Sequence, residues 1–444
     1  MEHASGRTLY VRTVVMRMWR MSVIPHQHRP ITSIDDFDLS DHEFWQRPMA
    51  ERERAFALLR AKGKPVFYEE PDVSYIEKGP GYHAIVKHVD LLEISRNPEI
   101  FCSGRGGATN IEDMPAELAE YFGSMINMDD PRHARLRRIV SRAFTPRMIK
   151  QFEAGVEIAA ARIVDDLLEA GPGVDFVPHV AARLPVKIIC DMMGIPASEY
   201  GFVYDRSNIV LGGFDPEFGL TDEGAMVAKL LTAGRELQQL VQGLAVKRIE
   251  NPTDDLISAL VNANVDGERL TNQEIGSFFI LLVVAGNETT RNAISYGLRL
   301  LTLHPDQRRL WLRDLQEHAP GAVEEIVRLA SPVNYMRRKL TRDYELNGTR
   351  YREGEKVVLF YWSANRDEAA FDEPQRFDIT RRPNPHVGFG GPGPHFCLGA
   401  HLARREISVM FRELLTRVPH IEAGEPEQLF SSFINGIKHM ECRF

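Results

Sequence analysis

Near the C-terminus a run of small and cyclic residues ends in a cysteine: Phe389-Gly390-Gly391-Pro392-Gly393-Pro394-His395-Phe396-Cys397, then Leu398-Gly399. Glycine and proline at this density exclude a helix or a regular strand, so the run is a tight loop. Beyond it Ala403, Ile407, Met410, Phe411 and Leu414 recur at helical spacing, with Arg404, Arg405 and Arg412 between them. Cys397 therefore stands where a loop feeds a helix N-terminus, whose free N–H groups and partial positive charge favour a thiolate. A thiolate approached by backbone amides is suited to ligate haem iron. Read alone, an ordinary buried cysteine after a turn is the simpler account.

A second constellation is Ala285-Gly286-Asn287-Glu288-Thr289-Thr290. It lies inside a segment that starts with a capping box, Thr271 to Glu274, and runs to Leu303 before Pro305. At 1.5 Å per residue such a helix is on the order of 48 Å long, enough to cross the whole molecule. Its first half is apolar nearly all round, so it is expected to be buried. An acid and hydroxyls inside a buried helix are costly unless partnered or used. Gly286 and the threonine pair predict a bulge or kink. Cleaving O2 needs two protons at one oxygen: the Thr289 hydroxyl can hold a hydrogen bond there while Glu288 relays protons from solvent. The small pair Ala285-Gly286 leaves room for O2. A polar stripe facing solvent is the alternative, opposed by the apolar run Leu281 to Val284 just before it.

Cationic groups form a third set. Asp129-Asp130-Pro131-Arg132-His133 opens a helix on which His133 and Arg137 are spaced i, i+4 and share a face. Two donors on one face suit a pair of carboxylates. Taken alone, with Arg135, Arg138 and Arg142 nearby, a solvated basic face is the better account of them. Glu325 and Arg328 form an i, i+3 pair that by itself carries little.

Together these motifs resemble the cytochrome P-450 superfamily, the haem-thiolate monooxygenases, over nearly the whole chain from about Ile34. The resemblance implies a mainly α fold with a small β region: a triangular helical body with a long central helix, and haem b buried between that helix and the Cys397 loop. It implies Cys397 as axial ligand, and haem contacts from His133, Arg137, Ala285, Arg338, Phe389, His395 and Ala403, with His133, Arg137, Arg338 and His395 on the propionates. Phe389 lies one place earlier than the usual superfamily loop would put it. Glu325, Arg328 and Arg376 match a buried structural cluster. Ile111, Phe122, Leu282, Val283, Val333, Met336 and Phe433 are the expected, apolar walls of the substrate pocket. Ser103 to Thr109 reads as a mobile loop at the substrate mouth, an ordinary surface loop being the equal alternative. Leu211 to Pro216 corresponds to the loop over the substrate channel. Ala116 to Ile126, Phe278 to Asn292 and Ala322 to Ala330 resemble one branch, the actinobacterial hydroxylases of methyl-branched lipids. That implies terminal (ω) hydroxylation of methyl-branched fatty acids, isoprenoids or sterol side chains. A macrolide or terpene monooxygenase is a second reading. A non-catalytic haem-binding sensor is a third, and the Glu288-Thr289 pair argues against it.

The 444 residues carry a net charge of −8, which gives no reason to expect nucleic acid. Four scattered cysteines and no C-x-x-C exclude a disulfide framework and make zinc unexpected. A reducing cytoplasm fits them. No apolar run approaches the ~20 residues of a transmembrane helix. No flavin domain or iron–sulfur cysteine cluster accompanies the motifs, so electrons from NAD(P)H are expected through a separate ferredoxin reductase and ferredoxin. Arg404, Arg405, Arg135, Arg138 and Arg142 would form a basic docking face for that partner. A monomer is expected. Residues 1–30, with Arg7, Arg12, Arg17, Arg20 and Arg29 against one acid, Glu2, read as a disordered extension before a single catalytic domain, 31–444. A transit peptide or a membrane-surface segment is the alternative there. Around the helices, strands are expected at Pro65 to Tyr68, Tyr82 to Val86 and Val357 to Trp362, a hairpin turn at Asn347-Gly348, and a helix beginning at Pro320.

Overall fold

The segment after Thr271 folds as one uninterrupted helix, and the rest of the chain is built round it. A computed structural model describes residues 29–71, 76–143, 146–212, 215–217, 223–264 and 267–444. The proposed N-terminal extension up to residue 28, and Gly213-Phe214 of the expected channel loop, lie outside the described residues.

The helices in chain order are α1 (Met49–Ala61), α2 (His88–Arg96), α3 (Ala116–Gly123), α4 (Arg132–Ala143), α5 (Pro146–Ala170), α6 (Arg183–Met193) and α7 (Tyr200–Gly212). They continue with α8 (Glu223–Glu250), α9 (Leu256–Asn262), α10 (Asn272–Leu303), α11 (Pro305–Arg313), α12 (Leu315–Ala330), α13 (Tyr361–Ala364) and α14 (Ala400–Arg417). Thr271 caps α10 as expected: its side chain accepts from the Glu274 amide, and Glu274 returns a bond to the Thr271 amide. Helices α3, α6, α7, α8, α12 and α14 all pack on α10. Ile280, Val283, Ile294 and Leu298 of α10 are buried in that core with Ile326 of α12 and Phe411 of α14. Each contributes about 1.5–3 kcal/mol by leaving water.

Beside the helical body lies a sheet of order β1-β2-β7-β4-β3, from β1 (Val66–Tyr68), β2 (Tyr82–Ile85), β3 (Phe101–Cys102), β4 (Tyr335–Leu340) and β7 (Lys356–Phe360). Strands β4 and β7 are antiparallel, with Arg337 opposite Val358 and Arg338 opposite Val357. Side chains alternate along a strand, so these neighbouring arginines point to opposite faces. The turn at Asn347-Gly348 joins β5 (Tyr344–Leu346) to β6 (Thr349–Tyr351), both turn residues having positive φ.

Three sequence expectations need correction. The Gly286/Thr pair produces no bulge: α10 is continuous, and Thr289 Oγ1 simply donates to the Ala285 carbonyl at 2.6 Å. The helix expected from Pro320 begins at Leu315, because Asp314 caps the amides of Gln316 and Glu317; Pro320 lies inside it. The strand expected to reach Trp362 ends at Phe360, where α13 takes over.

Candidate active site

The Cys397 loop is closed by its own backbone. The Gly390 amide donates to Val387 O at 2.9 Å, and the Cys397 amide to Phe389 O at 3.0 Å. A side chain at Gly393 would put its Cβ 2.3 Å from Ser95 O, and φ there is +144°, so only glycine lets the loop lie on α2. The Phe389 ring is covered by the Arg404 guanidinium at 4.2 Å. Arg404 in turn pairs with Glu324, whose carboxylate also bonds His386 at 2.7 Å. The amide of Ala403, half-buried on the first turn of α14, bonds Gly399 O at 2.9 Å.

Cys397 is exposed, yet the protein round its sulfur still pushes the thiol up; the Gly399 amide, Arg137 and Arg404 oppose that shift. The helix end therefore does not outweigh desolvation. A coordinated metal would, since it deprotonates a thiol ligand outright.

Next to this loop the cations converge. His133 is buried, its ring centroid 4.4 Å from that of His395. Arg137 donates to Phe396 O at 2.7 Å, and His395 Nε2 lies 3.2 Å from Ser103 Oγ. Burial, then Arg338, His133 and Arg137, push His395 down to about 2. Arg338 is buried and, among the described residues, donates only to Arg337 O, at 2.7 Å. Among the described residues, the one ion pair of this group joins His133 Nδ1 to Asp130 across 3.5 Å, and His133 Nε2 is buried with no partner at all. A cluster short of anions, beside a free thiol, fits haem: its propionates would be held by His133, Arg137, Arg338 and His395, its iron by Cys397. Bound there, haem supplies the activation of O2.

Helix α10 presents Ala285 and, one turn on, Thr289 on its open side, with Leu282 half-buried on the same face. Val283 does not belong to that face. Two residues from Ala285 is about 200° round a helix, and Val283 is buried in the helical core. Glu288 is fully buried and paired with Arg291, whose Nη1 donates to Asn208 of α7 at 3.0 Å. Burial pushes the Glu288 carboxyl up against the pull of Arg291. Asn287 donates to Ser207 of α7 at 3.0 Å. Among the described residues Glu288 Oε1, Arg291 Nε and Asn287 Oδ1 have no partner, so the seam between α7 and α10 is polar and suited to water. Arg291 and Asn208 were not anticipated; the i, i+3 spacing of Glu288 and Arg291 is the signal that could have found the first.

The other expected walls fall into separate groups. Ile111 is buried with Tyr335 and Phe360, and half-buried Phe433 packs on that group, its ring 5.5 Å from Tyr335. Val333 and Met336 pack on the cluster of Ile85 and Leu359. Phe122 meets Tyr121 edge-on at 4.9 Å and joins the helical core with Leu282.

The buried structural cluster has a different third member. Arg328 grips Glu325 through two bonds, 2.8 and 2.7 Å, both side chains fully buried. Arg381, not Arg376, adds the third side chain, its Nε 3.1 Å from Glu325 Oε1. Arg376 stands in a turn that offers its carbonyl to Arg328 at 3.1 Å and sends its side chain outward to Glu373.

The expected docking face is largely neutralised. Arg404 pairs with Glu324, Arg405 and Arg412 with Glu157, and Arg135 and Arg138 with Glu268. Arg142 is exposed, Arg137 half-exposed, and Phe396 presents 40% of its surface next to Cys397.

Comparison with known proteins finds relatives over nearly the whole chain. The Cytochrome P450 family model matches residues 235–432. A methyl-branched lipid omega-hydroxylase of Mycobacterium tuberculosis (strain ATCC 25618 / H37Rv) is 48% identical over 412 residues, 92% of this chain and 95% of its own. A steroid C26-monooxygenase of Rhodococcus jostii (strain RHA1) is 38% identical over 92% of this chain and 85% of its own. The structure of a Mycobacterium marinum cytochrome P450 in complex with pseudoionone superposes with a TM-score of 0.87 at 44% identity, covering 94% of this chain and 100% of that one. No helix among the described residues is long and apolar enough to cross a membrane. On the strength of these matches, over nine-tenths of its length, the chain belongs to the cytochrome P450 family and is a monooxygenase.

Proposed function

We propose that this monooxygenase hydroxylates hydrophobic lipids at the terminal carbon, with methyl-branched fatty acids, isoprenoids and sterol side chains as the substrate class. The observation that carries the reading is the 48% identity, over 92% of the chain, to a protein named for that reaction. The apolar character of Ile111, Phe122, Leu282, Val333, Met336 and Phe433 supports it. A primary C–H bond is stronger than the secondary bonds beside it, so terminal attack needs walls that present the chain end-on.

In this reading the Thr289 hydroxyl, free to turn from Ala285 O, donates a hydrogen bond at the O2 site, and Glu288 passes protons along the seam shared with Asn287 and Arg291. Electrons from NAD(P)H arrive through a ferredoxin reductase and a ferredoxin, which docks at exposed Phe396 with Arg137 and Arg142 at the rim. The enzyme acts as a monomer.

The test is a product analysis with a surrogate ferredoxin, its reductase, NADPH and a methyl-branched fatty acid. Oxygen located by mass spectrometry on the terminal methyl is the expected result. No lipid product, in a protein whose reduced, carbon monoxide-treated form keeps the thiolate band, would reject the lipid assignment and favour a macrolide or terpene.

A further inference from the structure

Residues 105–113 overlap the Ser103–Thr109 loop and wrap round one side chain of β4, while Asp129 accepts from the Ser103 and Gly104 amides and Asn127 from the Ala108 amide. Arg337 of β4 has no exposed surface, and every N–H of its guanidinium points into residues 105–113. Its Nε donates to Gly107 O at 2.9 Å, and Nη2 to Arg105 O at 2.9 Å and Gly107 O at 2.5 Å. Nη1 donates to Ile111 O at 3.2 Å, Glu112 O at 3.3 Å and Asp113 Oδ1 at 2.7 Å. The Arg337 amide adds a bond to Ala108 O at 2.7 Å. Asp113 also meets Lys339 and Lys356, each at 3.1 Å. The loop wraps so closely that a Cβ on Gly106, at φ +81°, would lie 2.0 Å from Asp113 Oδ1.

We infer that Arg337, locked by Asp113, is a positioning residue for regiochemistry: it fixes loop 105–113 as a rigid wall of the lipid mouth. This rests on the lipid-hydroxylase reading above. Arg337 does not touch the lipid. Alternation along β4 puts Met336 and Arg338 on one face, Arg338 in the haem-facing bay, and Arg337 with Tyr335 on the other. From that side it anchors the backbone of Ile111, while Tyr335 of the same strand packs against Phe433. One strand thus sets the positions of Ile111, Met336 and Phe433. A planar guanidinium with every donor engaged cannot shift to a new partner set without breaking several bonds together, so the wall has one geometry rather than a range.

Asp113→Asn is the decisive variant, because Asp113 is partly exposed and the carbonyl bonds survive the change. Arg337→Lys keeps the charge and loses the fork. Both are assayed as holoenzymes with a methyl-branched fatty acid, a ferredoxin, its reductase and NADPH. The expected result is a terminal-to-penultimate product ratio lowered about tenfold, a raised KM, faster amide exchange in 105–113 and an unchanged thiolate band. An unchanged ratio and KM in Asp113→Asn, whatever the melting temperature does, overturns the positioning role. Unchanged amide exchange overturns the lock by Asp113. A wild-type enzyme that oxidises no lipid removes the functional reading itself, and this role with it.

Discussion

Replacing Arg338 by leucine should loosen haem far more than it disturbs the fold. Arg338 is buried, its Nη1 bonds only a neighbouring carbonyl, and it shares its bay with His133, Arg137 and His395. A charge-assisted hydrogen bond to a buried carboxylate is worth about 1.5–3 kcal/mol, or about 10- to 150-fold in affinity. Arg137 is a second donor to the same carboxylates and takes over part of the loss, so the lower end applies: haem should leave Arg338→Leu about tenfold faster. Leucine fills the apolar part of the site, and removing a buried charge of the majority sign relieves the bay. The assay is transfer of haem from the purified holoenzyme to excess apomyoglobin, followed by absorbance. Arg350→Leu, at an exposed pair with Asp343, is the control and should transfer at the wild-type rate. A transfer rate for Arg338→Leu within twofold of wild type would refute the assignment of this bay to the propionates.

Arg381→Ala should destabilise the protein by about 1.5–3 kcal/mol, the worth of a hydrogen bond to buried, charged Glu325, whereas Arg376→Ala should stay within about 0.5 kcal/mol as an exposed site; urea unfolding separates the two. Glu406 is buried, and burial alone pushes its carboxyl up to about 8. Its folded pKa thus exceeds the unfolded value, so stability is full below about 4.5 and falls as pH rises towards 8. Glu406→Gln should therefore stabilise by about 3 kcal/mol at pH 7, the 2.5 units above 4.5 at 1.36 kcal/mol each, and by nothing at pH 4, read from unfolding curves of the holoenzyme at both values. Thr289→Ala should consume NADPH while releasing peroxide in place of product; an unchanged product yield rejects the proton-relay role.

Several features were legible because they depend on residues close in sequence. The Thr271–Glu274 cap, the length of α10 and the loop entering α14 are all local. What escaped depends on register or on partners far along the chain. Arg338 came from the resemblance, but the role of Arg337 shows only when pairing with Val358 and Val357 turns the two side chains to opposite faces, Arg337 towards residues 105–113. Arg376 and Arg381 lie in one irregular stretch, and only the turn closed by the Arg376 amide on Glu373 O decides which side chain reaches Glu325. The docking arginines looked free because their acids, Glu157, Glu268 and Glu324, are distant in sequence. Val283, expected as a pocket wall with Leu282, is by contrast a matter of helical-wheel arithmetic: two residues from Ala285, it cannot share that open face.

The most direct test of the account is the absorption of the reduced, carbon monoxide-treated holoenzyme, compared between wild type and Cys397→Ser. The wild type should show the red-shifted thiolate band and the variant should lose it completely, with haem still retained by His133, Arg137, Arg338 and His395. A thiolate band that survives in Cys397→Ser would contradict the assignment of Cys397 and the chemistry built on it.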